Sequence, residues 1–152
     1  MLALMCEAGE SRYALDASYV VEVVPCVRLE PAAGTPEWLA GTFSYKGRAV
    51  HVADLTHLTT GLSCPRHLSS RIIVAELKVQ GLPPRLGLLG QRVTTARIDT
   101  PPADTAGERA ELSPYGRILL DRQGMFQLID PSRLFSADRR QALQPMVSEG
   151  RP

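Results

Sequence analysis

Three histidines, three cysteines and one Ser-Tyr-Lys run are the residues in this chain whose types and spacing suggest chemistry. His57, Cys64 and His67 fall within eleven residues, and Cys64-x-x-His67 has the spacing of two ligands to one zinc ion. A structural zinc site takes four ligands, usually with a paired C-x-x-C knuckle. Here the fourth ligand is missing, so these residues are expected to be incidental and no metal is assigned. Ser44-Tyr45-Lys46 has the residue types of a base-assisted nucleophile. At a hairpin turn in open solvent, however, Lys46 keeps its ordinary basicity and makes a poor base. The sequence contains no G-x-S-x-G elbow, no Walker loop, no G-x-G-x-x-G and no H-E-x-x-H. No catalytic residue and no cofactor is assigned, and the chain is not expected to be an enzyme.

The elements that would position these residues are short. Apolar residues come in brief runs broken by Gly and Pro, which favours strands over helices. Strand-like runs occupy 2–6, 12–16 and 19–24. In "TPEWL" Thr35 and Pro36 suit the N-cap and first position of a single helical turn. Residues 41–47 and 48–55 form a hairpin turning at Lys46-Gly47. Val50 and Val52 share one face of its second strand, and His51 points to the other, exposed face. Asp54 caps a short helix, "LTHLTT", which Gly61 ends. Strands follow at 71–79 and 85–98, then a Pro-, Asp- and Thr-rich loop over 99–114. A second hairpin turns at Gln123-Gly124, and Asp130 with Pro131 opens another helix. Ser136 starts a last amphipathic helix over 137–148, where Leu143 shares a face with Met146 or Val147.

The two halves of the chain run parallel. Tyr13, Leu15, Val20 and Val23 match Leu86, Leu88, Val93 and Ala96 at a constant offset. "VADLTHL" likewise matches "QLIDPSRL". Two copies of strand, strand, hairpin and helix imply two small β-barrels on one core, since such hairpins are not stable alone. One irregular β-sandwich is the alternative. The approximate halves are 12–70 and 71–136, with the 2–8 strand completing either.

Composition narrows the function. At 152 residues the chain is a single domain, 1–152, and 17 basic against 16 acidic residues leave a net charge of +1. That balance argues against a dedicated nucleic-acid binder. No apolar run approaches the ~20 residues of a membrane span, and "MLALMCEAGE" lacks the positive flank and apolar length expected of a signal peptide. The odd, unspaced cysteines fit a reducing cytosol. Two positions stand out beyond these bounds. Glu22 interrupts the apolar run "VVEVV", either as the solvent face of an alternating strand or as a polar rim on a partner contact. Trp38 is read as core packing. A small-ligand or oligonucleotide module remains the alternative function, although such a barrel clusters its aromatics and here the tyrosines are scattered. Barrels without catalytic residues present strand edges and hairpin tips to other proteins.

The chain resembles the CheW-like coupling proteins of bacterial chemosensory systems. The resemblance rests on "VVEV" (20–23), "PEWLAG" (36–41), "SYKGRAVHVADL" (44–55), "RIIV" (71–74), "LGLL" (86–89) and "FQLIDPSRLF" (126–135). It implies an all-β fold with short helices, built as two five-stranded SH3-like barrel subdomains sharing a core. It also implies a non-catalytic adaptor between methyl-accepting chemoreceptor tips and the regulatory domain of a chemosensory histidine kinase. Carried over by position, Val20, Glu22, Gly41 and Lys46 are the expected receptor-binding residues, with Gly41 leaving room for a receptor helix. The family's usual N-x-R-G reads Ser44-Tyr45-Lys46-Gly47 here, its strand Pro is His51, and an Asp of its second half is Gln91. These departures point to an accessory pathway controlling surface behaviour or a second messenger.

Overall fold

The computed structural model describes residues 1–31, 33–66, 68–99 and 112–149. His67, most of the 99–114 loop and the side chains of Met146 and Val147 lie outside the described residues. The first half contains β1 (Leu2–Ala8), β2 (Ser11–Asp16), a 3-10 turn (Ala17–Tyr19), β3 (Val20–Pro25), β4 (Leu39–Tyr45), β5 (Arg48–Asp54) and α1 (Leu55–Thr60). The second contains β6 (Ser70–Ala75), β7 (Leu86–Arg97), β8 (Leu112–Ser113), β9 (Gly116–Asp121), β10 (Gly124–Ile129), α2 (Pro131–Leu134) and α3 (Ala137–Glu149).

Strand pairing sorts these elements into two barrel-like subdomains on one open sheet path. Barrel 1 runs β3-β6-β7-β5-β4, and barrel 2 runs β7-β1-β2-β10-β9, with β8 at its edge. The long β7 serves both. Its residues Leu86 to Gln91 pair with β6, and Gln91 to Arg97 pair with β1. The division in space therefore differs from the one at residue 70. β2 lies in barrel 2 with β1 and β10, while β6 and the start of β7 lie in barrel 1. Each half of the chain lends its leading strands to the other barrel, so neither half closes a core alone.

The sequence repeat has a geometric counterpart. β5 pairs in parallel with β7 at Val52↔Gly87, and β10 pairs in parallel with β2 at Leu128↔Ala14. Asp54 and Asp130 end those strands and cap the helices that follow, accepting from the backbone N–H of His57 and Ser132 respectively. Gly61 ends α1 at φ 79°, where its N–H reaches the His57 carbonyl.

Strands buried on both faces explain the unbroken apolar runs. In β6, Ile72 and Val74 face the barrel 1 core beside Phe43 and Val52, while Ile73 and Ala75 face a shared core. In β1, Ala3 and Met5 face barrel 2 beside Phe126, while Leu4 and Cys6 face the shared core. Phe135, Leu134 and Leu143 fill that shared core, each fully buried. Burying side chains of this kind stabilises by roughly 1.5–3 kcal/mol apiece. Trp38 is half-buried and packs edge-on to Phe135, with ring centroids 6.1 Å apart.

Three local expectations change. "PEWL" forms a turn closed by the Leu39 N–H on the Pro36 carbonyl, without becoming a helix. The Trp38 carbonyl instead accepts the Asp54 N–H at 2.7 Å, which draws the chain into the sheet. The strand after Ser70 stops at Ala75, and the Glu76 N–H on the Tyr19 carbonyl is the last link of its pairing with the chain at β3. The second hairpin turns at Arg122-Gln123, between the paired Asp121 and Gly124. Asp121 sets this turn by accepting the Gln123 N–H at 2.8 Å.

Candidate partner-binding surface

The tip of the β4–β5 hairpin is the best-defined feature of the barrel 1 surface. Tyr45 pairs with Arg48, leaving Lys46-Gly47 as a two-residue turn with φ 49° and 78°. Two positive φ values are the mark of a type I′ turn, whose twist matches the strands it joins. A left-handed lysine costs about 1 kcal/mol, offset by the hairpin it closes. The turn leaves Lys46 largely exposed with its ammonium 5.4 Å from the Tyr45 ring centroid. The same ammonium stands 3.8 Å from Glu22 Oε1 on β3.

Tyr45 links these groups. Its ring is 6% exposed, packed in barrel 1 beside Phe43, and its hydroxyl donates to Glu22 Oε1 at 2.6 Å. That bond to Glu22, followed by burial and the Glu22 charge, pushes the phenol above its ordinary pKa. Arg85 also lies over the ring, 5.8 Å from its centroid, and donates from Nε to Glu76 Oε1 at 3.3 Å. The face thus presents two cations and two carboxylates around one anchored phenol.

β3 supplies the rest of the face. Among the described residues it ends the sheet path and pairs with β6 alone. A register shift between Val20 and Glu22 breaks its alternation. Val21, Glu22 and Val23 are consequently all exposed, whereas Val20 is half-buried against the shared core. An irregular edge strand carrying charge resists unwanted pairing while leaving apolar contact area.

Of the four residues expected to meet a receptor, Glu22 and Lys46 touch, and Val20 lies two residues before Glu22. Gly41 is different. It is buried at φ 145°, and a Cβ there would stand 2.8 Å from the Leu29 Cβ and 2.9 Å from the Glu30 carbonyl oxygen. What approaches Gly41 is therefore the chain's own segment after β3, which bridges to Thr42 through Glu30. The sequence names Tyr45 only as a member of the Ser-Tyr-Lys run, and Arg85 not at all. The inward alternation of Phe43 and Tyr45 was the available signal, but their partners lie on other strands.

The remaining candidates are otherwise engaged. Ser44 is exposed opposite Ala49, while the Lys46 ammonium lies by Glu22 and Tyr45. His51 is half-buried, with Nδ1 2.9 Å from Thr42 Oγ1 on the paired strand. His57 Nε2 lies 3.6 Å from Glu37, and buried Cys64 donates its N–H to Asp54 Oδ2 at 2.8 Å. Among the described residues, no three His, Cys, Asp or Glu side chains converge as metal ligands. Among the same residues, no helix is long and apolar enough to cross a membrane.

Comparison with known proteins places this geometry. No curated protein sequence is significantly similar to the chain. The crystal structure of the scaffolding protein TtCheW from Thermoanaerobacter tengcongensis superposes with a TM-score of 0.71. The match is 26% identical in sequence and covers 91% of this chain and 89% of that one. Residues 2–139 match the family described as CheW-like domain, and the chain belongs to that family.

Proposed function

We propose that this protein is a non-catalytic scaffold of a chemosensory system, coupling chemoreceptor tips to the regulatory domain of a histidine kinase in the cytoplasm. The observation that carries the reading is the contact of Glu22 with Lys46 across the exposed edge of barrel 1, flanked by Val21 and Val23. A charged pair held beside exposed apolar side chains has the make-up of a partner contact with a polar rim. Val20 and Gly41 support that face from behind, Val20 by anchoring β3 on the shared core and Gly41 by admitting the Leu29–Glu30 segment. One subdomain docks edge to edge against a similar barrel of the kinase, in a joint of roughly 1,200–1,600 Å². The departures at Ser44, Lys46, His51 and Gln91 favour an accessory pathway with its own receptor and kinase.

The rival reading, an oligonucleotide-binding barrel, needs exposed stacking rings. All eight aromatic residues are buried or half-buried. Co-purification from native lysate tests the adaptor: receptor and kinase together are expected, and recovery of neither overturns the reading.

A further inference from the structure

We infer that Tyr45 is the positioning residue of this contact face: its hydroxyl holds the Glu22 carboxylate in place and thereby sets Lys46. The inference rests on the proposed receptor contact and adds to it a residue that is itself buried.

An exposed ion pair at 3.8 Å does not order two long side chains by itself. Lys46 and Glu22 are 69% and 47% exposed, so their attraction is screened and their rotamers are costly to hold. The bond from Tyr45 is of another kind. It is short, at 2.6 Å, its acceptor is charged, and its donor sits on a ring that the barrel 1 core fixes. Arg85 and Lys46 both lie over that ring, and Glu76 holds Arg85 in turn. The rigid member of the network is therefore Tyr45, and the carboxylate it grips has one oxygen in a fixed place. Lys46 then meets a fixed counter-charge and needs less ordering when a partner arrives. Pre-organisation of this sort raises affinity without adding a contact.

Tyr45→Phe isolates the effect, because it keeps the ring, its packing and both cation contacts and deletes only the hydroxyl. Two measurements without a receptor come first. The phenol of Tyr45, followed by ultraviolet absorbance, is expected to titrate above the usual range in the wild type and to return toward it in Glu22→Gln. Backbone order parameters of residues 44–48 are expected to fall in Tyr45→Phe while those of the other strands hold. Next, binding to a soluble cytoplasmic fragment of the cognate chemoreceptor is expected to weaken about tenfold, since a hydrogen bond to a charged group is lost. Kinase binding is expected to be unchanged. Unchanged order parameters in Tyr45→Phe overturn the positioning role. Undiminished receptor binding in that variant does the same when Lys46→Glu abolishes binding. If Lys46→Glu itself binds normally, the receptor face is wrong, and Tyr45 is then judged by the order parameters alone.

Discussion

Gly41 and Leu29 are packed so closely that an added Cβ on Gly41 would stand 2.8 Å from the Leu29 Cβ. This contact lets the chain leaving β3 return against β4, where Glu30 and Thr42 exchange backbone hydrogen bonds of 2.8 and 2.9 Å. β3 carries Glu22 and β4 leads to Lys46, so the two sides of the candidate face are joined at Gly41.

A methyl group at this position is accordingly expected to damage the fold. Gly41→Ala meets both a φ of 145° and the crowded Leu29–Glu30 wall, and is expected to lose about 2–4 kcal/mol. Gly47→Ala is the control. It also sits at positive φ, but nothing lies within 4 Å of its added Cβ, and about 1 kcal/mol is expected. Urea denaturation of both variants separates them; equal losses would mean that the Leu29–Glu30 wall yields to a methyl group.

The pattern of success in reading the sequence follows from where each interaction is encoded. The caps at Asp54 and Asp130, the stop at Gly61 and the Lys46-Gly47 turn were legible because each depends on residues at most a few positions apart. The repeat was legible too, since Asp54 and Asp130 occupy matching places. The exchange of strands between barrels was not, because "LALMC" reads the same whichever barrel it completes. The Tyr45–Glu22 bond joins residues 23 apart and the Arg12–Asp121 pair joins residues 109 apart. Gly41 looked like an exposed glycine because the segment that covers it is fixed by the bridge to Thr42. "PEWL" looked helical because its local signals outweighed, on paper, a hydrogen bond to Asp54 that only the sheet supplies.

Charge reversal at the tip tests the face directly. Lys46→Glu places a second carboxylate beside Glu22 and removes the cation over Tyr45, yet Lys46 is an exposed turn residue. Stability is expected to change by less than about 0.5 kcal/mol. Receptor-dependent control is expected to be lost, because an unpaired or like charge at a desolvated contact costs several kcal/mol. Lys46→Arg is expected to retain coupling, as it keeps the charge and adds forked donors. Normal receptor-dependent signalling by Lys46→Glu would remove this face from the proposed function.

The cysteines offer a test of packing. Burial pushes the Cys6 thiol up to about 12 and the Cys64 thiol upward as well, and both side chains are buried. Only the thiolate attacks an alkylating reagent, and only where the reagent can reach it. Cys26 is half-buried at the edge of the barrel 1 core. Brief iodoacetamide treatment of the folded protein is therefore expected to modify Cys26 alone, with Cys6 and Cys64 reacting after denaturation. Mass spectrometry of tryptic peptides reads the result, and early modification of Cys6 would contradict the placement of β1 between the two cores.

Acid provides the last test, at the other barrel. Arg12 on β2 grips Asp121 at the β9–β10 turn through two hydrogen bonds of 2.9 and 2.5 Å. These bonds, reinforced by the Gln123 backbone N–H and opposed by desolvation, pull the Asp121 carboxyl down to about 2. A group whose pKa is lower in the folded chain binds its proton more weakly there than in the unfolded one. Its stabilising effect is complete above the ordinary aspartate value of about 3.9 and disappears as pH falls through about 2. Asp121→Asn lacks this charge at every pH. The melting temperature of the wild type is thus expected to exceed that of Asp121→Asn at pH 6, and the gap is expected to close between about pH 4 and pH 2. Added salt at pH 6 is expected to narrow the gap as well, since the pair is partly exposed. A gap that persists unchanged at pH 2 would remove the Arg12 pair as its cause, since asparagine keeps an oxygen that can accept the Gln123 N–H.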